Sequence, residues 1–496
     1  MQKKNHIFST FAMAAGVLLS AGCSQGLEVK PLETSTPVAA AEQGAKEESV
    51  PDNKSTGAEE SATEVPATPV QAATEPEPAS PVEATSTQPG EDSQKTETAE
   101  PTVDASKESV EIANDVNGFA LNFYRQSAQE NSDGNVVVCP RGTLTLLAAL
   151  AQGAAGDTGR EIEELIKMST GDERFAKLAQ SLSASEGSNE LTVCNGVWTG
   201  EKTELLPEYK QWLREQLSVT CDQVDFEKNA TATRDRINDW AREKTNGQID
   251  SLFDVLLPNT RLILANAICF KAKWEKSFDK SLTEEDYFTS LTQGDVATSL
   301  MRQYERFAWS KTDSFQWLRL PYGGDAYSME VILPEEGTGS QESLARVESE
   351  LTPEMLAEVV AKAEMRDVDL RLPRIQLSYA VSLNDILQKM GMDLAFGMEA
   401  DFSRMTSQKD IFVSDVLQKI SLEMDEEGTV AASASAAALT TKAATTEDRV
   451  RFHATHPFLF LIRENQSGTI LLIGRFGQPD AISVESTLIG IGGAIE

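Results

Sequence analysis

The sequence predicts one mixed α+β domain with large sheets, and three observations carry that expectation. Past the first 23 residues, Phe, Trp and Tyr are confined to positions beyond 110, so only that part can build a core. Within it, stretches with helical spacing alternate with continuous apolar stretches of strand length. The two kinds follow each other without the strand–helix–strand rhythm of a parallel sheet, which favours α+β over α/β.

The amino terminus opens on Lys3 and Lys4, then an apolar run from Phe8 to Leu19, then Ser20-Ala21-Gly22-Cys23. That is the layout of a secretory signal with small residues before the cut, and the run is too short for an ordinary membrane span. A cysteine directly after Ala-Gly resembles the bacterial lipobox, although Ser20 departs from the usual leucine. The resemblance implies a signal peptide over residues 1–22, acylation of Cys23 and a lipid anchor in the cell envelope. Ser24, where an aspartate would retain the protein inside, points to the outer membrane with the protein facing outward. Residues 23–109 hold 10 of the 19 prolines, 18 acidic and 5 basic residues and no aromatic. Such a segment cannot offset its ordering entropy, so a disordered acidic linker is expected, with a reach on the order of 50 Å. The formal net charge of -34 argues against nucleic acid and anionic membrane as partners. The domain is expected over residues 110–480, followed by a tail over 481–496.

The domain opens with a helix whose buried face carries Val116, Phe119, Ala120 and Phe123, and a second apolar helix runs from Thr143 to Ala151, ended by Gly153 and Gly156. Ile237, Trp240 and Ala241 mark another amphipathic helix. Leu262–Phe270 and Tyr327–Leu333 read as strands buried on both faces. Near the end, Phe458–Ile462 and Ile470–Ile473 flank Asn465-Gln-Ser-Gly468, a hairpin with a glycine-containing turn. No solenoid repeat is present.

Catalysis needs a nucleophile with a base, a metal cluster or a phosphate cradle, and the domain offers none. His6 leaves with the signal. His453 and His456 stand in a His-Ala-Thr-His spacing without a third ligand, so no metal and no cofactor is expected. No GxSxG elbow, Walker loop or GxGxxG turn occurs. Cys139, Cys194, Cys221 and Cys269 form no CxxC pair and are expected as buried free thiols, with one disulfide left open. An enzyme is not expected.

The unusual stretch is Gly428-Thr-Val-Ala-Ala-Ser-Ala-Ser-Ala-Ala-Ala-Leu-Thr-Thr441, without charge, proline or internal glycine. Composition alone allows a low-complexity loop or a short alanine-rich helix. Small uncharged residues also permit a strand to enter the middle of an existing sheet, because a central strand tolerates neither proline nor a desolvated charge. Thr429, Ala431, Ser433, Ser435 and Ala437 would then share one face.

Ordered matches across nearly the whole domain resemble the serpin family. They run from Val138-Cys-Pro-Arg-Gly-Thr-Leu-Thr-Leu-Leu147 and Gly153-Ala-Ala-Gly-Asp-Thr158, through Asn238-Asp-Trp240, Thr245-Asn-Gly-Gln-Ile249, Asn266-Ala-Ile268 and Phe270-Lys-Ala-Lys-Trp274. Leu320-Pro-Tyr322, Val331-Ile-Leu-Pro334, Leu372-Pro-Arg374 and Asp401-Phe-Ser403 follow in order, then Glu426-Glu-Gly-Thr-Val-Ala-Ala-Ser-Ala434 and His456-Pro-Phe458. The resemblance implies an α+β fold with three sheets, eight to nine helices and an exposed reactive-centre loop. It implies a monomeric suicide inhibitor of serine, or cysteine, proteases. The protease acylates itself on the loop, the freed loop inserts into the main sheet, and the trapped enzyme loses its geometry.

Glu426, Gly428, Thr429, Val430, Ala431, Ala432, Ser433 and Ala434 fall on the family's hinge. Family spacing puts the scissile bond between Lys442 and Ala443, which suits a trypsin-like protease. In the family's sheet-opening region the chain has Cys139 and Gly142 where two serines are common, Gln418 where a histidine is common, and the usual Asn266 and Trp274. A non-inhibitory serpin serving as a surface binding or structural protein is the alternative. A polysaccharide-activated inhibitor is disfavoured, since residues 161–177 mix Glu with Lys in no basic stripe.

Overall fold

The computed structural model describes residues 107–184, 191–335, 340–429 and 449–479. Helix α1 (Lys107–Glu130) buries Val116, Phe119, Ala120 and Phe123, the face read from its spacing. Strand β1 (Val136–Val138) leads into α2 (Pro140–Gly153), almost wholly buried. Helix α2 starts three residues before Thr143 because Pro140 suits a first helical turn and Cys139 caps it, its Sγ accepting from Gly142 N at 3.4 Å. Gly153 is its last residue, whereas Gly156 opens α3 (Gly156–Ile166). Then come α4 (Glu173–Ala184), β2 (Leu191–Gly200), α5 (Pro207–Leu217), β3 (Thr220–Val224), α6 (Ala230–Lys244), β4 (Leu262–Phe270) and β5 (Ala272–Lys273).

The second half runs through β6 (Glu284–Thr289), β7 (Asp295–Lys311), β8 (Phe315–Pro321), β9 (Tyr327–Pro334), α7 (Ser340–Glu350), α8 (Pro353–Ala361), β10 (Glu364–Pro373), β11 (Ile375–Ser382) and α9 (Asn384–Lys389). It closes with β12 (Val413–Asp425), β13 (Gly428–Thr429), β14 (Val450–His453), β15 (Phe458–Glu464) and β16 (Ile470–Phe476). The expected hairpin is β15–β16, with Gly468 at φ +71° in its turn.

Among the described residues these are nine helices and two hydrogen-bonded sheets. The seven-stranded sheet has the order β3-β2-β4-β12-β13-β5, with β11 on the far edge of β12. The nine-stranded sheet has the order β1-β16-β15-β9-β8-β7-β10-β14, with β6 on β7. The α+β expectation holds, but the expected third sheet is not separate. The 17-residue β7 pairs with β6 over its first part, β10 through its middle and β8 at its end, so one strand stitches two groups together.

Strand β4 explains its unbroken apolar sequence. Ile263, Ala265, Ala267 and Cys269 pack with Ile237 and Ala241 of α6 on one face, while Leu264 and Ile268 join the cores on the other. Strands β4 and β12 are parallel neighbours in a sheet otherwise largely antiparallel, paired along all nine residues of β4. None of the four described cysteines is in a disulfide; Cys139 and Cys269 are buried as expected, but Cys194 and Cys221 are only half-buried.

Candidate functional site

The site grows from the upper end of the β4–β12 seam. Strand β12 ends at Asp425, turns through Glu426 and Glu427, and returns antiparallel as β13, with Thr429 opposite Met424 and Gly428 opposite Asp425. On its other side β13 pairs with β5, Gly428 opposite Lys273 and Thr429 opposite Ala272. A two-residue wedge therefore separates the tops of two strands that pair directly below it. Gly428 has φ +144°, and a Cβ there would stand 2.1 Å from Ala272 O, so only glycine fits. Thr429 is completely buried, its Oγ1 3.1 Å from the Tyr322 hydroxyl.

Aromatic and charged groups hold the turn. Trp274 stacks on Tyr322 at 4.6 Å between ring centroids and donates its indole N–H to Asp425 O at 2.9 Å. Trp274 N donates to Glu427 O at 3.0 Å and Phe278 N to Glu426 O at 2.8 Å. The Glu426 carboxylate is buried but accepts from Arg374 Nη2 and Thr283 Oγ1, both at 2.6 Å. Burial pushes its pKa up; the hydrogen bonds from Arg374 and Thr283 outweigh burial and hold it below the usual carboxylate range. Glu427 accepts from Lys280 Nζ at 2.7 Å at the exposed rim.

Midway down the seam lies a buried polar ladder. Asn195, Asn266 and Gln418 stand level on β2, β4 and β12. Gln418 Oε1 accepts from Cys139 N at 2.8 Å, while its Nε2 donates to Thr143 Oγ1 at 3.0 Å, Cys139 O at 3.1 Å and Asn266 Oδ1 at 3.3 Å. Asn266 Nδ2 donates to Gly142 O at 3.1 Å and to Asn195 Oδ1. The ladder ties β4 to β12 and both to the first turn of α2. Gly142 leaves room for it, since a Cβ there would lie 3.2 Å from Asn266 Cγ. Burial pushes the Cys139 thiol up to about 11.

The structure thus brings Glu426, Gly428, Thr429 and Trp274 together at the top of the seam, and Cys139, Gly142, Asn266 and Gln418 at its middle. Cys23, Val430 to Ala434, Lys442 and Ala443 lie outside the described residues, as do the signal, nearly all of the linker and the tail. His453 sits on β14 with Nε2 3.5 Å from Asp369. Sequence reasoning missed Arg374, Thr283, Tyr322, Thr143 and Asn195. Three of them stand in matched stretches, Val138–Leu147, Leu320-Pro-Tyr322 and Leu372-Pro-Arg374, but nothing in one sequence said that those stretches converge.

The protein-family model "Serpin (serine protease inhibitor)" matches residues 114–479. An uncharacterised serpin-like protein of Thermococcus kodakarensis is 33% identical over 374 residues, covering 74% of this chain and 86% of its own. Human leukocyte elastase inhibitor is 32% identical over 372 residues, covering 73% and 97%. Among solved structures, Serpin48 of the insect Tenebrio molitor aligns with a TM-score of 0.67 at 26% identity, covering 76% of this chain and 100% of that one.

Proposed function

From the premise that the chain belongs to the serpin family, we propose that it is an irreversible inhibitor of serine proteases. In this reading it traps the acyl-enzyme when its cleaved loop inserts between β4 and β12. The observation that carries the reading is the wedge: β13 is already seated between β5 and the end of β12, antiparallel to both. Continuing that register would bring Ala431 between Leu422 and Phe270, Ser433 between Ile420 and Ile268, and Ser435 between Gln418 and Asn266. These are the small residues that share a face with Thr429. Insertion exchanges one parallel ladder for two antiparallel ones, and antiparallel pairing is slightly the more stable per residue. With each new bond worth ~1 kcal/mol net, the nine-residue seam gains on the order of 10 kcal/mol, comparable to a domain's whole stability.

We assign the scissile bond to Lys442–Ala443 and the target to the trypsin-like class, with the lysine entering a pocket that carries a carboxylate. Acylation of Cys23 would tether the inhibitor to the cell surface, which metabolic labelling with a radioactive fatty acid tests against Cys23→Ala. The inhibitory reading is tested by mixing the full chain with trypsin and resolving the products on a denaturing gel. A stable covalent complex, with a released fragment starting at Ala443, is expected. Cleavage without complex would leave a substrate-like serpin and sink trypsin inhibition.

A further inference from the structure

The outer face of β7, β10 and β14 has a composition at odds with the rest of the chain. Strand register places Arg302 beside Arg371 beside His453 in one row, and Tyr304 beside Asp369 beside Arg451 in the next. In the third row Arg306 stands beside Asp367, and Arg449, one residue before Val450, comes level with them. Five arginines thus face two aspartates on a protein whose formal charge is -34.

Two of the arginines are used internally. Arg302 pairs with Asp369 at 3.2 Å, and Arg371 reaches Asp286 of β6 at 3.0 Å. For Arg306, Arg449 and Arg451, no carboxylate lies within ion-pair distance among the described residues. Between them stands Tyr304, 41% exposed, with the guanidinium of Arg302 4.7 Å and that of Arg449 5.1 Å from its ring centroid. Cation–π contacts of this kind hold both cations against the ring; Arg302 is also paired with Asp369, whereas Arg449 has no carboxylate within ion-pair distance among the described residues. Tyrosine and arginine are also the residue types that dominate binding hot spots.

We propose that this face is a docking surface for an acidic patch on the attacking protease, beside its active-site cleft. The inference rests on the inhibitory reading above and adds what sets its speed. Position supplies the argument for the occupant. Arg449 follows the assigned scissile bond by six residues, so the face lies within about 25 Å of that bond whatever path the chain takes. A protease of about 220 residues has a radius of gyration of roughly 17 Å, about 44 Å across as a solid sphere, so one seated on the bond is wide enough to reach surface at that distance. A long polyanion would instead extend past the patch and come within a Debye length of the acidic surface around it, which repels it. A docked protein feels the patch at contact distance.

The test uses the full chain and two probes, the anionic and cationic isoforms of trypsin, which share primary specificity and differ in surface charge. The second-order rate constant of complex formation is expected to be about tenfold higher for the anionic isoform at low salt, with the ratio falling towards one at 1 M salt. Arg306→Glu with Arg451→Glu should abolish the preference while leaving the stoichiometry of inhibition unchanged, because neither residue touches the β4–β12 seam. Tyr304→Ala should reduce the preference without a change of charge. Complexes forming at equal rates in the unmodified protein would overturn docking and leave the inhibitor reading standing. Absence of complex with either isoform would remove both. Acceleration by a sulfated glycan that is equal for the two isoforms, and lost in the double variant, would assign the face to a polyanion and overturn the proposal.

Discussion

Replacing Thr429 with arginine separates recognition of the protease from its capture. Thr429 has no exposed surface, and its Oγ1 meets the Tyr322 hydroxyl at 3.1 Å under the Trp274–Tyr322 stack. A guanidinium at this position is too large for the site and stays charged at any working pH, so seating it unpaired costs several kcal/mol. In the resting protein β13 can unpair and let the side chain reach water, at the loss of a two-residue ladder. In the acyl-enzyme it cannot escape, because residue 429 must enter before Ala431 can follow. If ~3 kcal/mol of the penalty is felt in the transition state for insertion, that step slows by roughly a hundredfold while acylation and hydrolysis proceed unchanged. The assay is a titration of trypsin with each variant, followed by a denaturing gel. The arginine variant should be cleaved at the wild-type rate, yield little covalent complex and need many molecules per enzyme inactivated. Thr429→Val keeps the branched shape and loses only the contact to Tyr322, which is already made in the resting protein, so it should lower stability by about 1 kcal/mol while forming complex at close to the wild-type rate. Wild-type stoichiometry in the arginine variant would refute the idea that insertion starts from this wedge.

Three further perturbations bear on the seam. Glu426→Gln should lower stability by about 1.5–3 kcal/mol through its charged hydrogen bonds to Arg374 and Thr283, read from urea midpoints. The folded pKa of Glu426 lies below its unfolded value, so its contribution is complete above about pH 4.5 and is lost as pH falls through the folded value; the variant should show a shallower acid limb. Cys139→Ser should stabilise the protein by about 0.5–1 kcal/mol, since a hydroxyl caps a helix better than a thiol. In the wild type the unfolded thiol ionises from pH 9.0 while the folded one holds its proton to about 11, so stability should fall between those values by a few kcal/mol from this group, and the serine variant should lose that part of the alkaline limb. Gly428→Ala should unseat β13, because its Cβ would meet Ala272 O at 2.1 Å; hydrogen exchange at Thr429 N should rise at least a hundredfold, and unchanged protection would contradict the wedge.

What could be read in the sequence was whatever a single stretch of chain decides. Helix α1 showed its buried face through spacing, and β4 showed burial on both faces through an unbroken apolar run. The β15–β16 hairpin showed its turn through Gly468. The start of helix α2 is hidden from its apolar pattern, because its first turn is polar and its cap is a cysteine, an unusual residue for that role. The polar ladder was half legible: the family resemblance named Asn266 and Gln418, but Asn195 and Thr143 join through strand register and helix placement, which no local pattern encodes. The Arg374–Glu426 pair spans 52 residues of chain and was invisible for the same reason. Three sheets are expected and two stand among the described residues, because β7 runs unbroken through residues whose alternation looks alike on both sides of the join.

The parallel pairing of β4 with β12 is where a sequence cannot say which state it encodes. Both strands read as buried whether they touch each other or flank a third strand, and the inward residues of β12 are equally apolar in either case. What holds the seam shut is therefore placed across it. Gln418 and Asn266 bond to each other and to the first turn of α2, so the two strands cannot part without exposing four buried polar groups together. Opening from the middle is thus more costly than opening from the top, where β13 already keeps the strands apart and Thr429 offers a single hydroxyl contact. A zipper that starts at the wedge breaks one pair for every residue it adds, and it reaches the ladder only when Ser435 arrives. Ser435 would bring a hydroxyl that can both donate to Asn266 Oδ1 and accept from Gln418 Nε2, replacing the bond it separates. In the proposed mechanism the order of events would follow from where the polar groups sit: a closed middle would keep the resting protein from inserting its own loop, and an open top would let cleavage start the insertion.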